Sequence, residues 1–230
     1  MQKSSQLSES LLIGIILAFA GGFMDAYSYV CRDYVFANAQ TGNIVLMGIN
    51  FAMGKFSIAL KYLFPVASFV SGIALADVIK YNRKEKNNIH WRQITILIQS
   101  IILCYVAFLP TSNNLLANSL TSFACGIQVE SFRKIWGNSI ATTMCIGNLR
   151  NATQLIIDFI HTKNKVFLEK GLLFYGIIIC FALGAVLGNV CVNIFNEKAI
   201  IFSVAFLLTA FFIMFINPKN DTAIKCNLTK

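Results

Sequence analysis

Six apolar runs, each long enough or nearly long enough to cross a bilayer, constrain this chain more than any other feature. A spanning helix needs about 20 mostly apolar residues. Leu11–Val30, Phe56–Val78, Ile94–Leu109, Leu116–Phe132, Phe167–Val192 and Ala199–Ile216 answer that description. The third, at 16 residues, is short and is expected to borrow a turn from Gln93 or Pro110. Of the 230 residues 57% are hydrophobic and 13% charged, whereas a soluble domain carries roughly 25% charged residues. A mean hydropathy of +0.67 cannot be hidden inside one water-soluble core. The same numbers exclude disordered, collagen-like and disulfide-scaffold chains. The net charge of +9 comes from 19 Lys and Arg scattered between apolar runs, so no nucleic-acid partner is expected. The expected class is an all-α polytopic membrane protein with lipids as its surroundings and polar tails at 1–10 and 218–230.

Two further stretches, Ile44–Met53 and Leu149–Ile160, look helical but are too short or too polar to cross comfortably. Each follows a polar, glycine-containing lead-in: Asn38-Ala39-Gln40-Thr41-Gly42-Asn43 and Thr142-Thr143-Met144-Cys145-Ile146-Gly147-Asn148. In hydrocarbon, irregular backbone survives only where protein or a water-filled cavity satisfies its N–H and C=O groups. The two stretches therefore read as half-helices that dip into the protein, with a pair of interfacial helices as the alternative.

Self-comparison adds a second constraint. Phe19-Ala20-Gly21-Gly22 matches Phe123-Ala124-Cys125-Gly126, and Thr41-Gly42-Asn43 matches Ile146-Gly147-Asn148. The run Phe69 to Val78 matches Phe181 to Val190. The offsets, 104, 105 and 112, rise in order, as small insertions in a duplicated chain would make them. The repeats are expected at 11–112 and 113–217, each a long helix, a half-helix and two long helices. If the short stretches do not cross and the N-terminus is cytoplasmic, 15 basic residues fall inside and only Arg32, Lys55, Lys61 and Lys198 outside. If they do cross, the basic residues divide almost evenly. The positive-inside rule prefers the first arrangement. Three crossings per half invert the second repeat, a plan that recurs in secondary transporters.

Polar residues within these segments are the candidates for function. Asp25 lies about two-thirds along the first run. An intramembrane carboxylate costs about 2.5–3.5 kcal/mol on insertion scales, so it faces a partner or a cavity. It reads either as a proton or substrate site or as a cap on broken backbone beside Tyr27, Ser28 and Tyr29. Gly42 and Gly147 are expected to open the half-helices, whose unpaired N–H groups attract anionic or carbonyl groups. Asn43 and Asn148 would cap those helices or bind ligand, with Asn38, Gln40, Thr41, Thr142 and Thr143 at the same entrances. Gln128 is a candidate neutral hydrogen-bonding contact, and Glu130 is expected to pair with Arg133 at i,i+3. Arg150, in the second half-helix, would either face the cavity or snorkel to the cytoplasm. Gly184/Gly188 and Ser68/Gly72/Ala76 form small-residue seams for close helix packing, within one chain or in a homo-oligomer. Seven cysteines make no CxxC pair, and neither His90 nor His161 lies at metal-ligand spacing. No metal or cofactor is expected, and no enzyme motif is present.

The residues Gly22-Phe23-Met24-Asp25-Ala26, followed by Val35-Phe36-Ala37-Asn38-Ala39-Gln40-Thr41-Gly42-Asn43, resemble the YoaK-type family of bacterial inner-membrane proteins. That family is known mainly as a domain of unknown function. The resemblance extends over essentially the whole chain, including Gly126-Ile127-Gln128 and Thr142-Thr143. Members tend to carry Asn where this chain has Val129, and Thr where it has Ile146. It implies a fold size and an inner-membrane address with several crossings, and no activity. The leading expectation is a small secondary transporter or permease with both termini cytoplasmic. It would bind a small polar or anionic solute at the midplane, with a proton as the candidate coupling ion. A non-transporting scaffold, sensor or assembly factor is the alternative, and a lipid-headgroup enzyme a more distant one.

Overall fold

The computed structural model describes residues 10–83, 90–135 and 142–216. The polar tails (Ser10 apart), residues 84–89, with Lys84 and Lys86, and residues 136–141 lie outside that set. Among the described residues there are eight α-helices: α1 (Leu11–Cys31), α2 (Gln40–Ala52), α3 (Phe56–Arg83), α4 (Trp91–Val106), α5 (Asn114–Ser131), α6 (Cys145–Thr162), α7 (Lys165–Phe195) and α8 (Ile201–Ile216). Two 3₁₀ turns, Thr111–Asn113 and Asn196–Ile200, lead into α5 and α8. Three stretches are long and apolar enough to cross a membrane by length and composition: Leu11–Cys31, Phe56–Asn82 and Lys165–Phe215. Trp91–Val106 is a shorter apolar helix.

Local chemistry explains the boundaries. Ser10 caps α1 by accepting the Ile13 N–H at 3.3 Å, and Asn164 caps α7 by accepting the Val166 N–H at 3.0 Å. His90 and Gln93 form a reciprocal capping box at the start of α4. Gly54, at φ 71°, takes the left-handed conformation that stops α2 just after Met53. Both short helices begin four residues before the sequence expectation, so the polar lead-ins supply their first turns. Gly42 and Gly147 are third helical residues rather than helix starts.

Helix pairing follows small residues. Gly22 of α1 lies against the Phe181 carbonyl and Ala185 amide of α7, and Gly184 against the Phe19 carbonyl. Gly126 of α5 lies against the Phe69 carbonyl and Ile73 amide of α3, and Gly72 against the Phe123 carbonyl. In all four cases an added Cβ would overlap a backbone oxygen. The seams named from the sequence are therefore closed within the chain: Gly72 and Ala76 are buried, and Gly188 comes within 2.9 Å (from a notional Cβ) of the Phe23 carbonyl oxygen. Around these two crossings α2 packs on α3, α6 on α7, α4 on α5 and α8, and α1 on α8. The interior is apolar where Leu17, Phe23, Met24, Ile96, Leu103 and Leu207 meet. Large apolar side chains such as Ile101, Val186 and Phe212 stand more than half exposed on the outside, the inside-out distribution of a chain solvated by lipid.

Specific contacts place the helix ends. At one end, Arg32 after α1 reaches the Val106 and Leu109 carbonyls closing α4 and the Asn114 side chain opening α5. The Tyr27 hydroxyl at that end donates to the Glu197 carbonyl beyond α7. At the opposite end, Lys80 of α3 pairs with Glu130 of α5 at 3.2 Å. There Arg92 of α4 donates to the Ser131 carbonyl, and Gly14 of α1 meets Ile135. Hence α1 and α7 run in one direction, and α3 and α5 together in the other.

Candidate functional site

The site is built around the middle of α1, where the chain segments leading into α2 and α6 meet. After α1 the backbone turns through Asp33 (φ 62°) and Tyr34 (φ 59°) and dips back beside its own helix. The Asn38 side chain donates from Nδ2 to the Gly21 carbonyl at 3.1 Å, and the Asn38 N–H donates to Asp25 Oδ1 at 2.7 Å. The Ala37 and Ala39 amides face the same carboxylate. No side chain of α2 caps its own N-terminus. Asp25, itself buried, performs that role from α1, and it was the capping alternative that the sequence left open.

Asn43 is not a cap. Its Oδ1 accepts the Phe36 N–H at 3.0 Å, and its Nδ2 donates to the Phe36 carbonyl at 2.8 Å and to Gln40 Oε1 at 2.9 Å. It clamps the descending loop onto the first turn of α2 and has little capacity left for a ligand. Gln40 donates to the Ala37 carbonyl at 2.7 Å and reaches Ser122 of α5 at 3.5 Å. Thr41 is exposed, and Gly42 packs under the Phe36 ring, which an added Cβ would meet at 3.0 Å.

The second lead-in arrives from the other side. Thr143 sits over Gly21, where an added Cβ would lie 2.7 Å from Thr143 Cγ2. Cys145, the first residue of α6, lies within electrostatic reach of Asp25. Thr142, Thr143 and Asn148 are buried. Gly147 is exposed with open space around it and does not join the centre. Arg150 also stands exposed, away from the central cluster. Gln128 of α5 donates to the Leu17 carbonyl at 3.0 Å, about one turn from Gly21. Of the residues expected at the site, the structure thus gathers Asp25, Asn38, Thr143 and Gln128 along α1, with Thr142 buried next to Thr143 in the chain. Asn43 and Gln40 serve as scaffolding, and Thr41, Gly42 and Gly147 stand apart.

Four buried oxygens on these residues, Asn38 Oδ1, Gln128 Oε1, Thr142 Oγ1 and Thr143 Oγ1, have no hydrogen-bond partner. A buried hydroxyl or amide oxygen left unpaired costs about 1–3 kcal/mol. If Thr143 is kept for a ligand rather than for folding, Thr143→Val is expected to raise stability by about 1 kcal/mol. Thermal unfolding of the purified protein in detergent measures this; a fall in Tm would mean that the hydroxyl is bonded in the folded state. Cys125, buried beside Asn38 and Met24, was visible in the sequence only as a repeat position.

Other polar groups form structure rather than site. Glu130 joins Lys80 and Arg133, at 3.2 and 3.3 Å, and Lys80 also holds Asp77 at 2.9 Å. This network ties α3 to α5 at one end. The sequence reading missed Arg32, which counted there as an outside loop cation. It is fully buried, and its five N–H donors meet five neutral acceptors: Tyr27 Oη, Asn114 Oδ1 and the carbonyls of Val106, Leu109 and Pro110. A cation at the carbonyl end of α4 also complements that helix's dipole. An open cavity of about 400 Å³ lies nearby, lined by Asp33, Ser57, Lys61, Thr111, Ser112 and Asn114 among others. Among the described residues no group of three or more His, Cys, Asp or Glu could hold a metal ion.

An all-helical chain with an apolar exterior and a polar centre where two lead-ins meet is a membrane protein by its own chemistry. The chain belongs to the family described as "Protein of unknown function (DUF1275)", whose model matches residues 13–213. It is similar to the UPF0700 transmembrane protein YoaK of Bacillus subtilis (strain 168), with 26% identity over 183 residues, covering 75% of this chain and 79% of the relative. No solved structure matches it.

Proposed function

We propose that this protein is a small secondary transporter of the bacterial inner membrane, in which six helices cross and α2 and α6 are half-helices entering from opposite faces. In this reading both termini are cytoplasmic and the repeats are inverted. The solute is small and polar, and it binds at the midplane between the two half-helix N-termini, with a proton as candidate coupling ion.

The observation that carries the reading is the meeting of both lead-ins at Gly21 and Asp25. Broken helices that place their N-termini at the centre of inverted repeats are the recurring site design of secondary transporters. The helix pairs support the duplication: adding 104 to the α1 residues and subtracting 112 from the α7 residues turns the Gly22–Phe181 and Phe19–Gly184 contacts into Gly126–Phe69 and Phe123–Gly72. The opposed directions of α1 and α5 support inversion.

Sidedness is the experiment that tests this architecture. In a cysteine-free background, Lys55→Cys, following α2, and Lys165→Cys, following α6, are exposed to an impermeant thiol reagent on intact cells. The expected result is labelling at 55 and none at 165. Labelling at both positions would make the repeats parallel and remove the support for a transporter. Flux into proteoliposomes, lost on Asp25→Asn with folding intact, would then address transport itself.

A further inference from the structure

The charge balance at the centre narrows what kind of solute belongs there, an inference that rests on the transporter reading above. The N-terminus of a helix carries roughly half a positive charge. Two such termini come to the level of Asp25: α2, whose N-cap amide at Ala39 and lead-in amide at Asn38 donate to the carboxylate, and α6, whose lead-in residue Thr143 lies over Gly21, one turn of α1 before Asp25. The repeat position that would carry a second carboxylate is Val129. One carboxylate therefore faces two half-charges of opposite sign.

The unpartnered groups beside this balanced pair are oxygens. Asn38 Oδ1 is an acceptor only, and the Thr142 and Thr143 hydroxyls accept as readily as they donate. All three residues are more than nine-tenths buried. Gln128 Oε1 adds another acceptor at the level of Leu17, about two turns of α1 before Asp25. A carboxylate or phosphate solute would meet Asp25 and these acceptors with the wrong polarity. A molecule bearing N–H or O–H donors would satisfy them without disturbing the charge.

We infer that Asp25 is the resident anion of a slot formed by the two half-helix N-termini, and that the solute is a neutral hydrogen-bond donor of the amide or alcohol class. Acetamide and acetate, nearly the same in shape and different in charge, are the probes. The readout is thermal stabilisation of the full-length protein in detergent, against gluconate at matched ionic strength. The wild type is expected to respond saturably to acetamide and not to acetate. In Asp25→Asn, which keeps the shape and an acceptor for the Asn38 amide but empties the slot of charge, acetate is expected to bind at least tenfold more tightly than to the wild type. Thr143→Val keeps the carboxylate, so it should stay indifferent to acetate and bind acetamide several-fold more weakly.

Stabilisation of the wild type by acetate as strong as by acetamide would overturn the inference. So would an Asp25→Asn protein that folds and gains no acetate binding, or a wild type indifferent to both probes. These readings need no transport. Acetamide binding in detergent without flux in proteoliposomes would count against the transporter reading while leaving the solute class standing.

Discussion

Gly126→Leu is expected to prevent recovery of a monodisperse folded protein, and Gly126→Ala to lower its stability by about 3 kcal/mol, the upper end of what overpacking usually costs. The reason is the partner rather than the volume. A Cβ at Gly126 would overlap the carbonyl oxygen of Phe69, and backbone inside a helix cannot step aside as a side-chain tip can. To admit a methyl group, α3 and α5 must separate along their length, and the reciprocal contact of Gly72 with the Phe123 carbonyl would open with them. Gly22→Ala should behave alike through the Phe181 carbonyl. Gly48 is the internal control: nothing lies within 4 Å of its notional Cβ, so Gly48→Ala in α2 should stabilise by about 0.5–1 kcal/mol through helix propensity alone. Detergent chromatography and thermal unfolding of the variants measure the set. Equal behaviour of Gly48→Ala and Gly126→Ala would refute the packing argument.

Removing Arg32 is expected to be nearly as damaging. Arg32→Met keeps most of the apolar stem but strands three buried acceptors, the Val106 and Leu109 carbonyls at the end of α4 and the Asn114 side chain at the start of α5. Each buried acceptor left unmet costs ~1–3 kcal/mol, so a loss of at least about 3 kcal/mol is expected. For a chain of this length that corresponds to a fall in Tm of roughly 6–12 °C. Arg32→Lys should recover little, because an ammonium offers three donors from one point whereas the guanidinium spreads five over a planar fork. A Tm for Arg32→Met within 2 °C of the wild type would show that water enters and replaces these bonds.

Why Arg32 escaped the sequence reading is instructive. Three of its five acceptors are main-chain carbonyls, and no side-chain pattern marks a carbonyl 74 to 78 residues away. Run lengths and polar lead-ins, by contrast, depend only on neighbours in the chain, so the long helices and both short ones were legible with shifts at their ends. Asp25 was legible as a buried carboxylate in need of a partner. Its partner, the backbone around Asn38, was recognisable only as one of two alternatives. Asn43 was misread because the Thr41-Gly42-Asn43 turn looks like a helix start. The real start lies earlier, and a carboxylate from another helix has taken over the capping that Asn43 would have done. Gly42 and Gly147 stand apart from the centre for a related reason: both are third helical residues, beyond the lead-ins that reach α1, Gly42 packed under the Phe36 ring and Gly147 in open space.

The crossed partnership of helices bears on how such a chain can be made. The glycine face of α1 is filled by α7, and that of α3 by α5, so the first half holds two surfaces whose complements are synthesised later, Phe123 51 residues after Gly72 and Phe181 159 residues after Gly22. Until α5 and α7 emerge, Gly22 and Gly72 present bare backbone to lipid or to whatever insertion factor shelters them. The two halves are thus clasped hands rather than stacked blocks: α2 can settle on α3 and α6 on α7 within one half, but neither glycine crossing closes until the other half is made, and a ribosome that stalls in α5 leaves Gly22 without its partner.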